Sequence, residues 1–207
     1  FMKIGFVLDP LESLKIYKDT SYAMMREAAK RGHEILVMEQ ADIVWKRGQV
    51  LARMSRIHLQ EHAQAWYSLD AATETRLAAI DAVVMRKDPP FDVEYVTTTW
   101  LLEQAMREGA KVFNHPRALR DHSEKLAIAQ FSSFTAPTLV ARSDAQINAF
   151  IDEHRDVVLK PLDGMGGQSI FRVNEKDPNR NVIIETLSAQ GTRTVMAQRY
   201  IPEIKDG

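Results

Sequence analysis

Lys160 ends a short apolar run, Val157-Val158-Leu159, and Pro161 separates it from the stretch Asp163-Gly164-Met165-Gly166-Gly167-Gln168-Ser169. Glycine carries no Cβ and tolerates positive φ, so such a loop can lay backbone N–H groups against phosphate oxygens. A lysine at the strand end supplies the matching charge. The chemistry that suits this combination is binding of a nucleoside triphosphate. It is not a P-loop, because no Gly-Lys-Ser/Thr follows the glycines, and not a dinucleotide fingerprint, because a second apolar run follows where a helix should start. What remains is a flap between two strands, or more plainly a tight hairpin turn. Lys125, alone, is a surface residue of a helix. In one pocket with Lys160, it would make a pair of ammonium groups able to neutralise a triphosphate. The run Met196-Ala197-Gln198-Arg199-Tyr200-Ile201-Pro202 has two readings: an ordinary strand end, or a hinge whose backbone groups bond an adenine edge.

A second cluster, Arg86-Lys87-Asp88, precedes Pro89-Pro90 at the end of an apolar strand. Ligands bind at that end of the strands in open α/β sheets. Helix-entry chemistry, with Asp88 and Asp92 as caps, is the alternative. His33, His58, His62, His115, His122 and His154 show no metal-ligand spacing and read as structural or surface residues. No serine nucleophile elbow is present.

These residues must be positioned by an alternation of strands and helices. Ile4–Leu8 is a buried strand ended by Asp9-Pro10, a helix runs from Ser21 to Arg31, and Glu34–Met38 is the next strand. Asp42–Leu59 alternates around Arg47-Gly48 as a hairpin. Ala82–Met85 is a strand, Val93–Glu108 a helix with Asp92 as N-cap, and Lys111–Asn114 a strand. This order predicts a mostly parallel sheet with helices on both faces over residues 1–122. From residue 123 the pattern leans antiparallel. Glu124–Phe131 reads as a helix, Thr138–Ala141 as a strand, and Ser143-Asp144-Ala145-Gln146 as a capping box opening a helix to His154. Val157–Lys160 and Ser169–Val173 flank the glycines as a hairpin, Val182–Ala189 is a helix ended by Gly191, and Thr194–Gln198 is a strand.

Composition sets the outer limits. The chain has 207 residues, a formal net charge of -1 and no cysteine, which argues against general affinity for nucleic acid or anionic membrane and excludes thiolate chemistry and disulfides. The apolar run Lys3–Leu8 is too short for a secretory or membrane segment, and Phe1 ahead of Met2 reads as a vector remnant. A cytoplasmic protein is expected.

Met85-Arg86-Lys87-Asp88-Pro89-Pro90-Phe91-Asp92 and Leu159-Lys160-Pro161-Leu162-Asp163-Gly164-Met165-Gly166-Gly167 together resemble the bacterial glutathione synthetases of the ATP-grasp superfamily. Leu119-Arg120-Asp121, Glu124-Lys125-Leu126 and Met196-Ala197-Gln198 extend the likeness collinearly from Lys3 to Gly207. The resemblance implies an α/β fold: an N-terminal, mostly parallel-sheet, Rossmann-like pre-ATP-grasp domain over residues 1–122, then the small α+β lobe of an ATP-grasp domain over 123–207. It implies ligation of γ-glutamylcysteine and glycine at the expense of ATP, through an acylphosphate on the cysteinyl carboxylate. Lys125 and Lys160 would contact ATP, with Lys160 catalytic. Asp163, Gly164, Met165, Gly166, Gly167 and Ser169 would form the flap, while Gln198, Arg199, Tyr200 and Ile201 would flank adenine. Arg86 would bind the peptide. Magnesium, or manganese in its place, would accompany ATP, and the subunits would form a homo-oligomer. In the family, the metal ligands lie in a lobe that follows the position of Gly207, so no metal residue is expected here and the 207 residues alone are expected not to turn over. Other ATP-grasp ligases, which join D-alanine or add glutamate, and a non-catalytic nucleotide-binding module are the competing readings.

Overall fold

The computed structural model of the chain describes residues 1–60 and 65–206. It divides into two compact units, Phe1–Asp121 and His122–Gly207. His62 lies outside the described residues.

In the first unit β1 (Lys3–Leu8), α1 (Thr20–Lys30), β2 (Glu34–Glu39), β3 (Ile43–Lys46), β4 (Gln49–Leu59), β5 (Tyr67–Leu69), β6 (Thr73–Arg76), β7 (Ala82–Met85), α2 (Val93–Arg107), β8 (Val112–Phe113) and α3 (Pro116–Asp121) follow in order. The sheet order is β3-β4-β2-β1-β7-β8, with β5 and β6 also paired to β4. β2, β1, β7 and β8 run parallel, and the strands beyond β2 extend this centre antiparallel. β1 is apolar throughout because both its faces are covered. Phe6 and Leu8 pack with Met25 of α1, while Val7 packs with Leu102 and Ala105 of α2. Asp19 caps α1 by accepting from the Tyr22 N–H at 2.8 Å, and Asp92 caps α2 from Tyr95 at the same distance.

The second unit holds β9 (Thr138–Ala141), α4 (Asp144–His154), β10 (Asp156–Pro161), β11 (Phe171–Asn174), α5 (Arg180–Ser188) and β12 (Val195–Arg199). All pairings are antiparallel in the order β11-β10-β12-β9. Ile147 and Ile151 of α4 and Ile184 and Leu187 of α5 bury one face of this sheet.

Several local expectations are corrected. The segment read as an α-helix from Glu124 is a 3-10 run, Leu126–Phe134, kinked at Phe131 (φ −129°, ψ 38°). Its N-terminal position, Lys125, offers no capping side chain, and Thr135 turns back to bond the Ser132 carbonyl. The capping box at Ser143 does not form. Asp144 instead accepts from Ser188 Oγ at 3.1 Å, tying α4 to α5 while its charge faces the helix N-terminus. β11 starts at Phe171, because Ser169 takes a positive φ of 56° that no strand residue adopts. α5 is ended by Ala189 and Gln190, both left-handed, before Gly191 is reached.

Candidate nucleotide and peptide sites

Alternation along β10 decides which way Lys160 points. Val157 and Leu159 are fully buried against α4 and α5, so Val158 and Lys160 lie on the face opposite those helices. Register adds their neighbours. Lys160 stands opposite Met196 and Val158 opposite Gln198 on β12, and these stand opposite Val140 and Thr138 on β9. The result is two cross-strand rows on one face, Lys160-Met196-Val140 and Val158-Gln198-Thr138, in which Met196 is fully buried and Val140 and Val158 are half-buried. Sequence reasoning did not assign Val140, Val158 or Thr138, because only strand register brings them beside Lys160.

Lys160 is half-buried. Loss of hydration pushes its ammonium pKa down, and the positive charge of Lys125 pushes it further. Among the described residues, the charge that bears on Lys160 is thus another cation. Lys125 Nζ itself donates to the Gly164 carbonyl oxygen, a neutral partner in the glycine loop. Two neighbouring ammonium groups without a carboxylate between them fit a polyanion such as a triphosphate.

The loop between β10 and β11 carries Gly166 at φ +67° and Gly167 at φ +78°. A Cβ at either position would meet nothing within 4 Å, so backbone conformation, and not crowding, is what calls for glycine there. Met165 is 38% exposed, and its carbonyl accepts from the Gln168 N–H at 3.4 Å. Asp163 is half-buried and Ser169 exposed. The loop is anchored at both ends in one sheet, as a flap must be.

At the end of β12, Gln198 Nε2 donates to Thr138 Oγ1 at 3.0 Å. The N–H groups of Arg199 and Tyr200 are both engaged, donating to Pro137 O and Asp156 O at 2.9 Å. That narrows the expected adenine-edge hinge: these two N–H groups are not free to bond a base, and half-exposed Ile201 is the next backbone position. The Tyr200 ring lies 3.7 Å beneath the Arg172 guanidinium, which Asp156 holds by two hydrogen bonds of 3.0 and 2.6 Å.

In the first unit, Arg86 leaves the C-terminal end of β7. It donates from Nε to Ser21 Oγ at 3.0 Å and from Nη2 to Thr20 Oγ1 at 2.6 Å. Lys87 pairs with Asp9 at 2.8 Å, and Asp9 also accepts from the Asp88 N–H at 2.8 Å. Burial, then the charges of Asp9 and Asp19, push the Asp88 carboxyl up. The N-cap of α2 is Asp92 and not Asp88, since it is the Asp92 carboxylate that accepts from the Tyr95 N–H. Among the described histidines, His58 pairs with Asp70 at 2.9 Å and His154 packs edge-on against Phe150. No group of three acidic or histidine side chains among the described residues could hold a metal ion.

A family model for the prokaryotic glutathione synthetase N-terminal domain matches residues 2–120, and one for the ATP-grasp domain of the same enzymes matches residues 124–207. The chain belongs to the prokaryotic glutathione synthetase family. Glutathione synthetase of Nitrosomonas europaea is 53% identical over 209 residues, covering 100% of this chain and 65% of its own length. That of Salmonella typhimurium is 48% identical over 206 residues, again with 100% and 65% covered. The chain therefore spans about two thirds of the length of these curated relatives. Solved ATP-grasp structures share the fold. D-alanyl-alanine synthetase A of Vibrio cholerae superposes with a TM-score of 0.60 at 13% identity, covering 97% of this chain and 60% of that one. An ATP-grasp RimK domain protein of Sphaerobacter thermophilus gives 0.59 at 20% identity, covering 97% and 64%. The second unit thus has the fold of an ATP-grasp domain.

Proposed function

We propose that this chain carries the triphosphate clamp and a peptide-binding arginine of a glutathione synthase. The observation that supports this most directly is the Lys125–Lys160 pair beside a glycine flap, in a chain matched to the family over its whole length. In the proposed reaction, a carboxylate oxygen of the cysteinyl residue of γ-glutamylcysteine attacks the γ-phosphorus of ATP. The bond to ADP breaks, and a mixed acylphosphate forms. The amine of glycine then attacks the acyl carbon, phosphate leaves, and glutathione results. No protein nucleophile is needed; the residues position the reactants and stabilise charge.

In this scheme the two ammonium groups hold the phosphate oxygens, with Lys160 facing the charge that develops during transfer. Asp163 to Ser169 cover the phosphates and keep water from the acylphosphate. Val140 and Val158, half-buried beside the fully buried Met196, give apolar surface to the base, with Gln198, Arg199, Tyr200 and Ile201 around it. Arg86 binds the peptide. Magnesium, or manganese in its place, belongs to the family's chemistry, but the described residues do not gather a site for it and no step here is routed through it. Cytoplasmic location and homo-oligomeric assembly belong to the same proposal and rest on the family alone. No described helix is long and apolar enough to cross a membrane.

Calorimetric titration of ATP into the chain and into Lys160→Ala tests the clamp. Binding by the native chain and a loss of at least tenfold in the variant are expected. Equal affinities would refute the clamp. Supplying γ-glutamylcysteine, D-alanine or glutamate with ATP to the protein in its family-length form, and weighing the product, tests the substrate class.

A further inference from the structure

Arg86 differs from the other half-buried arginine of its unit. Arg120 is 18% exposed and its charge is matched by the Glu103 carboxylate. Arg86 is also half-buried, yet the partners that hold it, Thr20 Oγ1 and Ser21 Oγ, are neutral hydroxyls. Among the described residues, no neighbouring acid forms an ion pair with it. Asp9 is occupied by Lys87, and Asp19 accepts from the Tyr22 N–H. Asp88 is close enough to feel the guanidinium without pairing with it. A half-buried guanidinium held by neutral hydroxyls, at the end of parallel strands, is arranged for an anion that comes from outside.

The geometry of the fork narrows the choice. A guanidinium offers its donors on two edges, Nε with Nη2 and Nη1 with Nη2. Ser21 and Thr20 hold the first, which leaves the end edge with two parallel N–H groups, the arrangement that receives a carboxylate bidentately. Ser21 is 4% exposed in the first turn of α1, so its hydroxyl is itself fixed by packing. A bidentate fork would occupy both oxygens of a carboxylate and withdraw electron density from them. The carboxylate that must attack phosphorus is poorly served by such a grip; the one that stays unreacted is well served.

We propose that Thr20 and Ser21 are positioning residues for Arg86, and that the guanidinium they orient receives the glutamyl α-carboxylate of the dipeptide, the carboxylate that is not phosphorylated. This rests on the glutathione-synthase reading. It adds two residues that no motif marks and a division of labour between the two carboxylates.

The test has two parts, both on the 207-residue chain. In nitrogen-15 NMR without ligand, the Arg86 Nε–H should exchange slowly in the native chain and in Ser21→Thr, and rapidly in Ser21→Ala. In calorimetry, Ser21→Ala should weaken γ-glutamylcysteine about tenfold, with Ser21→Thr restoring most of the affinity, as expected from one misoriented charge-assisted contact. Binding of 4-aminobutanoyl-cysteine, which lacks the α-carboxylate, should be the same in all three. Thr20→Val, at an exposed position, should weaken the dipeptide without disturbing the fold. Equal weakening of dipeptide and analogue by Ser21→Ala, or an Nε–H signal indifferent to that change, would overturn the positioning role. A chain that binds ATP but not the dipeptide overturns the carboxylate assignment and leaves the clamp standing. A chain that binds neither overturns both.

Discussion

Methionine in place of Lys160 keeps the side chain's length and removes its charge. In the native chain that charge is disfavoured first by burial and then by the Lys125 ammonium. Burial is the larger of the two costs and the Lys125 charge the smaller, and at a half-exposed, solvent-screened site the two together are on the order of 1 kcal/mol. A thioether opposite Met196 and beside Val158 adds a little apolar contact. Lys160→Met should therefore stabilise the fold by about 1 kcal/mol at neutral pH, raising the melting midpoint by roughly 2–4 °C for a chain of this size. The pH dependence follows from the direction of the shift. With the folded pKa below the ordinary 10.5, the unfolded chain binds more protons between the two values. Native stability rises with pH through that window. The advantage of the variant should accordingly be greatest at neutral pH and vanish near the unfolded pKa. ATP affinity should move the other way, falling by about 2–3 kcal/mol, or roughly 30- to 150-fold. Thermal melts at several pH values, with ATP calorimetry at one, give both readouts. A variant less stable than the native chain at pH 7, or a stability difference flat with pH, would refute the account of Lys160 as a strained cation kept for binding.

Gly166→Ala and Gly167→Ala should each destabilise the flap by about 1 kcal/mol through left-handed backbone alone, leaving the global melt almost unchanged while ATP affinity drops. Asp156, whose carboxyl Arg172 holds below the usual range, contributes stability above the unfolded pKa and loses it as pH falls through the folded value. Asp156→Asn should cut that acid-side loss, by up to about 1 kcal/mol for a partly exposed pair, as read from urea midpoints between pH 2 and 6. Arg120→Met should lower the stability of the first unit, because Glu103 is left with Arg107 alone at 3.4 Å and Thr99 with only its bond to the Val96 carbonyl; urea denaturation measures it.

Strong periodicity and strong breakers made much of this legible. β1, β7, β9, α2 and β10 lie where apolar runs and their Asp, Pro and Gly boundaries put them. β5 and β6 were not anticipated. Tyr67–Leu69 and Thr73–Arg76 are short and mostly exposed, and only pairing with β4 defines them. The 3-10 run was misread because Leu126–Gln130 has good helix formers, and propensity says nothing of the missing cap. At the site, the lysines and the flap could be named from residue type. The cross-strand neighbours of Lys160 could not, because Val140, Val158 and Met196 meet only through register. The grip of Ser21 on Arg86 spans 65 positions of sequence and has no local signature.

The hydrogen bond from Lys125 to the Gly164 carbonyl has a consequence for how a flap and a nucleotide would be coordinated. A lysine ammonium has three donors in tetrahedral array, and one is committed to the loop backbone. Two remain for phosphate oxygens in the proposed clamp. A single nitrogen can thus act as a rivet through both layers, fastening cover to cargo without any contact between them. A planar guanidinium could not point its donors in such divergent directions. Arginine at position 125 would keep the charge but undo the fastening, so that the loop and the phosphates would be held separately and no longer as one body.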